Sequence, residues 1–514
     1  MHPLYSVSAI RQIEQAALQH VPAGTLMQRA GLATATTALS LLTVPPGAAT
    51  ILILAGPGNN GGDALEAAIR LVEAGASVYV HLCADPERLP TDARQALLRA
   101  QQTPVVFIDT VPAHHWSLVI DGLFGIGLTR AIDGAAADLI RAINRLDLNV
   151  LAIDVPSGLD ADSGALIGGV AVRANYTITF IGDKPGLHTL DGREQAGTVI
   201  VDTLGIDAAL YPACALELSG PALFATAIRP RSHASHKGSY GDVMVVGGAD
   251  GMTGAALLAA RCALFAGAGK VHVAFIGAVP AYDALHPELM CRSASGADFG
   301  KAVLVAGPGL GNSAAAAALL HGVLQSSRPL VLDADALNLM SADPALQQRV
   351  AVHPAPVLLT PHPLEAARLL GCPVAQVQSN RTAAATALAT RLQSIVILKG
   401  SGSIIARPDG HMAVNASGNP ALASGGTGDV LAGLCGALLA QGWPAWEAAT
   451  GATWLHGHAA DVLVRDGHGP VGLTASELTL QIRREINRLK PTLQNNTATV
   501  IKPALAQPSD RLRS

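Results

Sequence analysis

Short apolar runs alternate with Ala-rich stretches along the first half of the chain. The Ala-rich stretches 63–76 and 135–147 repeat apolar residues at i, i+3 and i+4, which predicts amphipathic helices. The apolar runs each give way to Gly, Asp or Pro and predict buried strands; they cover 49–58, 76–84, 116–125, 149–158 and 174–182. Strand–helix alternation predicts right-handed crossovers and a mostly parallel, doubly wound sheet.

This alternation stops between 205 and 235 and then starts again. The later strand-like runs cover 241–249, 268–277, 300–309, 328–335, 355–362 and 394–400. A chain of 514 residues is also too long for one core, because single cores stop growing at about 250–300 residues. We therefore predict two doubly wound α/β/α domains, 1–221 and 222–490, and a disordered tail over 491–514, where periodicity is lost.

Composition narrows the class of protein. Half of the residues are hydrophobic but only 3% are aromatic, so that Ala, Leu, Val and Gly fill the interior. The formal net charge is −4 without a long run of one sign, which gives no footprint for nucleic acid or a membrane surface. Small anionic ligands remain possible, because backbone N–H groups can bind phosphate.

The N-terminus and the cysteines indicate a cytoplasmic protein. Arg11 and Glu14 stand where a signal peptide needs an apolar core, and the most apolar run, 430–440, is about half a membrane span. The six cysteines are scattered and form no C-x-x-C pair, which favours reduced thiols over disulfides or a zinc site.

The segment GPGNNGGDAL (56–65) ends the first strand and opens a helix. Its glycines allow close backbone approach, and the helix N-terminus favours an anion, although a tight turn capped by Asp63 explains it equally well. Asp121 and Asp154 follow neighbouring strands, where either could act as a general base or merely cap a turn. Together with Asn60 and Ser157, Asp121 offers hard oxygen ligands for a cation.

Four segments in this order, GNNGGDA, DGLFGIG, DVPSGLDADSG and GDKPGL, resemble the NAD(P)H-hydrate epimerase domain over about residues 1–215. The resemblance implies a Rossmann-like fold that interconverts the R and S forms of hydrated NADH or NADPH. It implies potassium ligands at Asn60, Asp121 and Ser157. The implied substrate contacts are Asn59, Asn60, Gly61, Gly62, Asp63, Gly125, Ile126, Gly127, Leu128, Thr129, Arg130, Ala131 and the catalytic Asp154.

Two positions depart from the pattern of that family. Ala64 stands where a glycine is usual, and Gly122 stands where alanine is frequent. A methyl group at position 64 is costly if the backbone needs a positive φ and harmless if it is helical. The alternative to an epimerase is a non-enzymatic binding module.

The sharpest chemical signal is NPALASGGTGDVLAGLCGALLA (419–440), where a Gly-rich turn leads into an apolar helix. The N–H groups of Gly426, Thr427 and Gly428 can converge on a phosphate, helped by the helix dipole. Asp429 would accept the proton of a substrate hydroxyl. Its alternative role is that of a helix cap.

Other strand ends of the second half carry possible partners for this turn. Lys399 begins the Gly-Ser turn of 398–405, and His362 and Glu365 lie at a strand–helix junction. Singly, His362 could be a satisfied hydrogen-bonding residue and Lys399 a solvated charge. Further segments have the same character: Asp333, Asp335 and Asn338, the AGPGLG run at 306–311, and the Gly-rich 236–255.

Taken in their order along the chain, these segments resemble the ADP-dependent NAD(P)H-hydrate dehydratase, a ribokinase-like fold, over about residues 225–485. The resemblance implies that ADP phosphorylates the ring hydroxyl of the S-hydrate, after which phosphate leaves and NAD(P)H and AMP remain. Mg²⁺ should accompany the diphosphate. The implied hydrate contacts are Ala255, Gly309, His362 and the catalytic base Asp429, and the implied nucleotide contacts are Lys399, Gly400, Ser401, Gly402, Ser403 and Gly428.

Leu364 departs from the family pattern, which usually has glycine there, and this puts the path of that loop in question. The two resemblances together imply a bifunctional enzyme that repairs hydrated NADH and NADPH, with no nucleic acid or membrane partner, and a homo-oligomer. The alternative is a ribokinase-like kinase for another small molecule, such as a vitamin precursor.

Overall fold

The computed structural model describes residues 2–146 and 148–489; the disorder that we predict for 491–514 lies outside these residues. It contains two α/β units, each built around its own sheet, and we refer to them as the N-terminal and C-terminal halves. The predicted fold class is confirmed by this architecture.

The N-terminal half is built on seven parallel strands in the order β3-β2-β1-β4-β5-β6-β7, which contains the Rossmann order 3-2-1-4-5-6. The strands are β1 (Thr50–Ala55), β2 (Ser77–Leu82), β3 (Val106–Ile108), β4 (Leu118–Gly122), β5 (Val150–Ile153), β6 (Tyr176–Phe180) and β7 (Thr198–Asp202). All five predicted strands are present. The two that the sequence analysis missed, β3 and β7, lie at the edges of the sheet.

Helices cover both faces of this sheet: α1 (Val7–Leu18), α2 (Thr25–Leu41), α3 (Asn59–Glu73), α4 (Thr91–Ala100), α5 (Gly134–Ile143) and α6 (Gly192–Gln195). Alternate residues of β1 enter two separate cores, because successive strand side chains point to opposite faces. Ile51 and Ile53 pack against α1 to α4, and Leu52 and Leu54 pack towards α5. Helix α3 begins about one turn before the predicted helix of 63–76.

The C-terminal half is built on ten strands in the order β11-β10-β9-β12-β13-β14-β15-β16-β17-β8. Pairing is parallel except where β15, β16 and β17 form antiparallel neighbours. The strands are β8 (Leu216–Leu218), β9 (Asp242–Gly247), β10 (Lys270–Phe275), β11 (Met290–Ser293), β12 (Val303–Ala306), β13 (Leu330–Leu332), β14 (Val357–Leu359), β15 (Ile395–Leu398), β16 (Ser403–Ala406) and β17 (Met412–Asn415). All six predicted strands are present among them.

Two cores lie on the two faces of the second sheet, with Val243 and Val245 of β9 in one and Met244 and Val246 in the other. The helices are α7 (Thr253–Phe265), α8 (Ala314–Gln325), α9 (Ala334–Ala342), α10 (Pro344–Ala351), α11 (Pro363–Leu370), α12 (Val374–Ser379), α13 (Arg381–Leu392), α14 (Thr427–Ala440), α15 (Ala445–Arg465) and α16 (Ala475–Arg488). None of the helices in the described part of the chain has the length and apolar character needed to cross a membrane.

The chain segment that connects the two halves contributes a strand to the sheet of the C-terminal half. Strand β8 precedes the proposed boundary near 222, yet it pairs in parallel with β17. The N–H of Leu4 also donates to the carbonyl of Leu216, at 2.9 Å. Sheet membership therefore assigns residues 216–218 to the C-terminal half, while the boundary itself remains a prediction.

Candidate active sites

A cavity of about 550 Å³ opens at the carboxyl ends of the central strands of the N-terminal half. Many of the predicted substrate contacts line it: Asn59, Asn60, Asp63, Gly125, Ile126, Gly127, Leu128, Thr129, Arg130 and Asp154. Residues of α1 that the sequence analysis had not proposed, Arg11 and Glu14, line it too. The position agrees with the rule that open α/β sheets bind ligands beyond the carboxyl ends of their strands.

Asp154 lies at the end of β5 in an unusual backbone conformation. Its φ is +66°, a left-handed conformation that is rare for residues other than glycine and typical of functional sites. Both carboxylate oxygens are held: Oδ1 lies 2.8 Å from the Nζ of Lys184, and Oδ2 accepts the N–H of Ile126 at 3.3 Å. The side chain is thus fixed in one orientation towards the cavity wall.

Lys184 is a further residue of this site that the sequence analysis missed, although it lies in the GDKPGL segment. Its side chain is 0% exposed. Besides Asp154, its ammonium donates to the Thr179 hydroxyl at 2.6 Å and to the carbonyls of Phe180 at 3.1 Å and Gly182 at 3.2 Å. Because every donor faces a protein acceptor, Lys184 orients Asp154 and has no hydrogen left for a ligand.

Two further carboxyl groups face Asp154. Burial raises the pKa of Asp63 well above its ordinary value, and the Asp154 and Glu14 carboxylates raise it further. Burial and Asp154 likewise raise the pKa of Glu14. Asp63 is the fifth residue of α3, so its alternative interpretation as a helix cap is wrong.

The two departures at positions 64 and 122 face each other in the structure. Ala64 is a buried, helical residue of α3, so its methyl group is not strained by a positive φ. A Cβ added to Gly122 would lie 2.6 Å from the Cβ of Ala64. This contact therefore has room for a methyl group at position 64 or at position 122, but not at both without a shift.

Three predicted contacts lie outside the lining of the cavity: Gly61, Gly62 and Ala131. A Cβ at Gly61 would collide with the carbonyl oxygen of Gly56. At Gly62 it would lie 2.5 Å from Met27. Close packing thus explains why both positions are glycine.

Two of the three predicted cation ligands, Asp121 and Ser157, are in direct contact, and the third, Asn60, lines the cavity. Ser157 donates its hydroxyl to Asp121 Oδ1 at 2.6 Å and its N–H to Oδ2 at 2.8 Å. Burial raises the pKa of Asp121 to about 6, although these hydrogen bonds from Ser157 lower it. Both polar atoms of the Asn60 amide are buried without a partner among the described residues, and a Cβ on Gly125 would lie 3.3 Å from its Oδ1. An unpaired buried amide is costly, so this donor set fits a hard cation.

A second set of predicted residues meets at the carboxyl ends of β13, β14 and β15. Lys399 follows β15 and places its Nζ 2.8 Å from Asp333 Oδ1, which follows β13. Thr360, after β14, donates to the same oxygen at 2.7 Å. A Cβ on Gly428 would lie 3.5 Å from the Lys399 Nζ, so that the GGTGD turn adjoins this pair.

The side chain of Lys399 is 21% exposed and paired, so its alternative interpretation as a solvated charge is wrong. Burial alone lowers the pKa of its ammonium, but the Asp333 and Glu365 carboxylates raise that pKa above the ordinary value. The side chains of Asp335 and Asn338, two other candidate site residues, already accept hydrogen bonds from the protein. Asp335 accepts the N–H of Gly311 at 2.8 Å, and Asn338 accepts from Arg368 at 2.7 Å.

Asp429 is the third residue of α14, and no side chain caps that helix. Its alternative interpretation as a helix cap is therefore wrong. Burial raises the pKa of Asp429 to about 6, and the Asp333 carboxylate adds to the effect while Lys399 opposes it. A carboxyl group with a pKa close to neutrality is suited to general-base work.

The turn before Asp429 is shaped by packing and hydrogen bonds. Gly426 has a φ of +91°, and a Cβ there would lie 2.5 Å from Leu258. The Thr427 hydroxyl donates to the carbonyls of Leu422 and Ser424, at 2.8 and 2.9 Å. His456, which the sequence analysis missed, donates from Nε2 to the Thr427 carbonyl at 2.8 Å, and burial lowers its pKa to about 4.

His362 caps α11, because its Nδ1 accepts the N–H groups of Leu364 at 3.1 Å and Glu365 at 3.3 Å. The alternative of a satisfied hydrogen-bonding residue is thus confirmed for Nδ1, and the remaining proton lies on Nε2. Leu364 is a helical residue of α11 and 42% exposed, so its side chain is accommodated at the surface.

Ala255 and Gly309, two of the residues predicted to contact the hydrate, lie next to each other. Gly309 has a φ of +59°, and a Cβ there would lie 3.3 Å from the Cβ of Ala255.

Fold and sites together define a two-site α/β enzyme with a lysine–aspartate pair at the strand ends of each half. A family described as NAD(P)H-hydrate dehydratase matches residues 243–484, and a family described as YjeF-related protein N-terminus matches residues 23–186. The chain belongs to the family of bifunctional NAD(P)H-hydrate repair enzymes, as the resemblances predicted.

Relatives support this membership along nearly the whole chain. The bifunctional NAD(P)H-hydrate repair enzyme of Coxiella burnetii is 38% identical over 500 residues, which cover 95% of this chain and 100% of that protein. The Vibrio cholerae enzyme of the same name is 36% identical over 474 residues, with 90% and 93% covered. A crystal structure of the ADP/ATP-dependent NAD(P)H-hydrate dehydratase from Bacillus subtilis, with ATP and Mg²⁺, is 32% identical with a TM-score of 0.45 and covers 52% of this chain and 96% of that one.

Proposed function

We propose that each half of this repair enzyme catalyses one step at the residues described above. The half around residues 1–221 interconverts the R- and S-hydrates of NADH and NADPH, and the half around 222–490 dehydrates the S-hydrate with ADP. The observation that carries the assignment is the partly buried Asp429, with its raised pKa, beside Lys399 and the helix N-terminus at Gly428. These are the base and the positive surroundings that phosphoryl transfer needs.

In the dehydratase site, Asp429 accepts the proton of the ring hydroxyl while the hydroxyl oxygen attacks the β-phosphorus of ADP. The bond from that phosphorus to AMP breaks, and AMP leaves. The C–O bond of the new phosphoester then breaks with loss of a proton from the neighbouring ring carbon, which restores the double bond of NAD(P)H and releases phosphate. Lys399 and the N–H groups of the 399–403 and 426–428 turns offset the charge of the phosphates.

The dehydratase site also indicates which nucleotide and which metal ion it uses. The Bacillus subtilis relative is described as ADP/ATP-dependent and was crystallised with ATP and Mg²⁺. For this chain we propose ADP with Mg²⁺, because Asp333 and Asp335 raise the pKa of Asp429 and a cation would relieve this crowding of carboxylates. When bound, Mg²⁺ neutralises charge on the diphosphate.

In the epimerase site, we assign proton transfer to Asp154. Inversion at a carbon that carries a hydroxyl requires a bond to that carbon to break and to form again on the opposite face, with a proton moved each time. Lys184 and the Ile126 N–H fix both oxygens of Asp154 for this task. Asn59, Asp63 and residues 125–130 would bind the nucleotide around it.

Asn60, Asp121 and Ser157 would hold potassium. The support is the buried Asn60 amide, whose oxygen has no partner among the described residues. The ion would supply a fixed positive charge next to the substrate-binding turn. Self-association and a cytoplasmic location remain predictions.

Two variants and two assays test the division of labour. Asp429→Asn should lower ADP-dependent formation of NAD(P)H by about 10²–10⁴-fold and leave R-to-S conversion unchanged, because a general base contributes about that much. Asp154→Asn should do the reverse. Asp409→Asn, an exposed aspartate of the C-terminal half, is the matched control.

Dehydratase activity of Asp429→Asn within a few-fold of wild type would exclude Asp429 as the base. A phosphorylated product that accumulates without phosphate release would favour the kinase alternative. R-to-S conversion is measured in potassium and in a bulky organic cation. Its absence in the wild-type protein with potassium would contradict the epimerase assignment.

A further inference from the structure

The turn between β15 and β16, residues 399–402, is held from within the C-terminal half by Arg381. This arginine is 2% exposed. Its Nη2 donates to the carbonyls of Leu398 and Lys399, both at 3.2 Å, and its Nη1 donates to the carbonyl of Ser401. One rigid guanidinium therefore binds two carbonyls of the segment that we assign to the adenine nucleotide and the carbonyl of the residue just before it.

The N-terminal half binds the same turn from the other side. The Thr189 hydroxyl accepts from Arg381 Nη1 at 3.0 Å and donates to the carbonyl of Ser401 at 3.1 Å. The N–H of Leu190 donates to that carbonyl at 3.0 Å, and the Ser401 hydroxyl donates to the carbonyl of Leu190 at 2.8 Å. Thr189 is 2% exposed, so its hydrogen bond with Arg381 is shielded from water, whereas the Ser401 hydroxyl lies at the surface.

The glycines of the turn are explained by these neighbours. Gly402 has a φ of +64°, and a Cβ there would collide with the carbonyl oxygen of His188. Gly400 has a φ of +142°, and a Cβ there would lie 2.8 Å from Arg381 Nη2. The turn is thus shaped against both the arginine and the N-terminal half.

A second contact reaches the segment that leads into the GGTGD turn. Arg193 of α6 donates from Nη2 to the carbonyls of Ala416 at 2.6 Å and Gly418 at 2.7 Å. Asp461 completes this junction, because its carboxylate accepts the N–H of Gly418 at 2.8 Å. Residues 189–193 of the N-terminal half therefore touch both segments that flank the proposed nucleotide site.

We propose that Thr189 and Arg381 are positioning residues of the dehydratase, and that the N-terminal half forms part of the scaffold of its nucleotide site. The proposal rests on the assignment of residues 399–403 to ADP. Neither residue needs to touch ADP; each fixes the carbonyls of the turn so that its N–H groups face the phosphates.

The test is Thr189→Val, which keeps the shape of the side chain and removes the hydroxyl. Since it removes the acceptor of one N–H of the buried Arg381 guanidinium, the KM for ADP should rise about 5- to 30-fold. We expect kcat, the KM for the S-hydrate and R-to-S conversion to stay within about twofold. Thr189→Ser should restore the KM for ADP, and Thr198→Val, at an exposed threonine of β7, is the matched control.

Hydrogen exchange of the wild-type protein gives a second readout that needs no variant. ADP should slow exchange at the N–H of Leu190, which donates to the turn. A Thr189→Val enzyme with unchanged KM for ADP would overturn the proposal. So would equal rises in the KM for ADP and for the hydrate, together with a lower Tm, because these indicate general loosening.

Lys399→Met separates this proposal from the function on which it rests. If Lys399→Met leaves ADP binding unchanged in calorimetry, the nucleotide site itself is misassigned. If Lys399→Met weakens ADP binding and Thr189→Val does not, the site is correct and only the role of the N-terminal half is refuted.

Discussion

Both halves of the molecule place a lysine against an aspartate at the carboxyl end of a parallel sheet, but the two lysines have different surroundings. Lys184 is 0% exposed, and its ammonium faces Asp154 together with a hydroxyl and two carbonyls. Lys399 is 21% exposed, and within residues 2–146 and 148–489 its recorded partner is Asp333.

The difference shows that burial, and not residue type, decides what each lysine can do. An ammonium with all three hydrogens bound to protein can only orient its neighbours, which suits Lys184 as the support of Asp154. Lys399 keeps donors that can approach a phosphate beside Gly428. The aspartates differ accordingly: Asp154 is held by the lysine, whereas Asp429 has its own helix position and a raised pKa.

The largest expected effect comes from removing the two lysine charges. Lys184→Met should destabilise the N-terminal half by about 3–5 kcal/mol, because it removes the ion-pair partner of Asp154 and leaves three buried oxygen acceptors without their donor. Lys399→Met should cost less stability, since the pair is partly exposed, and should mainly raise the KM for ADP.

Urea unfolding together with both activity assays measures this contrast. Lys399→Arg, which keeps the charge, is the control for the C-terminal site. Equal losses of stability in the two methionine variants would show that burial does not distinguish the two lysine–aspartate pairs.

The pH dependence sharpens the comparison at Asp429. Because burial raises its pKa to about 6 and a base must be ionised, dehydratase kcat/KM should fall about tenfold per pH unit below about 6. The Asp429→Asn variant should lack this limb. An acidic limb centred near pH 4 would contradict the role of burial.

The same pKa has a consequence for stability with a definite sign. The pKa of Asp429 is 3.8 in its ordinary state and about 6 in the fold, so the folded protein binds more protons between these values and loses stability as pH rises through them. Asp429→Asn should therefore raise stability at pH 7, by up to about 3 kcal/mol. Thermal unfolding at pH 5 and pH 7 checks it. A gain of stability with a loss of activity would mark Asp429 as functional.

The smallest effect concerns the contact between Ala64 and Gly122. Gly122→Ala alone should cost about 1–3 kcal/mol, because its Cβ would lie 2.6 Å from that of Ala64. Ala64→Gly alone should cost about 1 kcal/mol through the helix. The double variant should recover most of the loss at position 122, and a double-mutant cycle by denaturant unfolding measures the coupling. Additive losses would refute compensation.

The central strands and the Gly-rich turns were predictable because both are local properties of the sequence. A strand buried on both faces is a continuous apolar run, and a turn at its end needs Gly, Asp or Pro. Four of the six strands that the sequence analysis missed, β3, β7, β8 and β11, lie at sheet edges, where partial exposure permits polar residues. The other two, β16 and β17, lie inside the second sheet but have only four residues each.

The sequence by itself determined two doubly wound units, the order of their motifs, the location of Asp154 and Lys399 at strand ends and the location of Asp429 at the start of a helix. Only the tertiary structure decided which groups meet there. Lys184 under Asp154, Glu14 beside Asp63, His456 on Thr427 and Thr189 on Ser401 are contacts between distant segments. Long-range packing sets such contacts, and it also sets the burial that distinguishes one lysine–aspartate pair from the other.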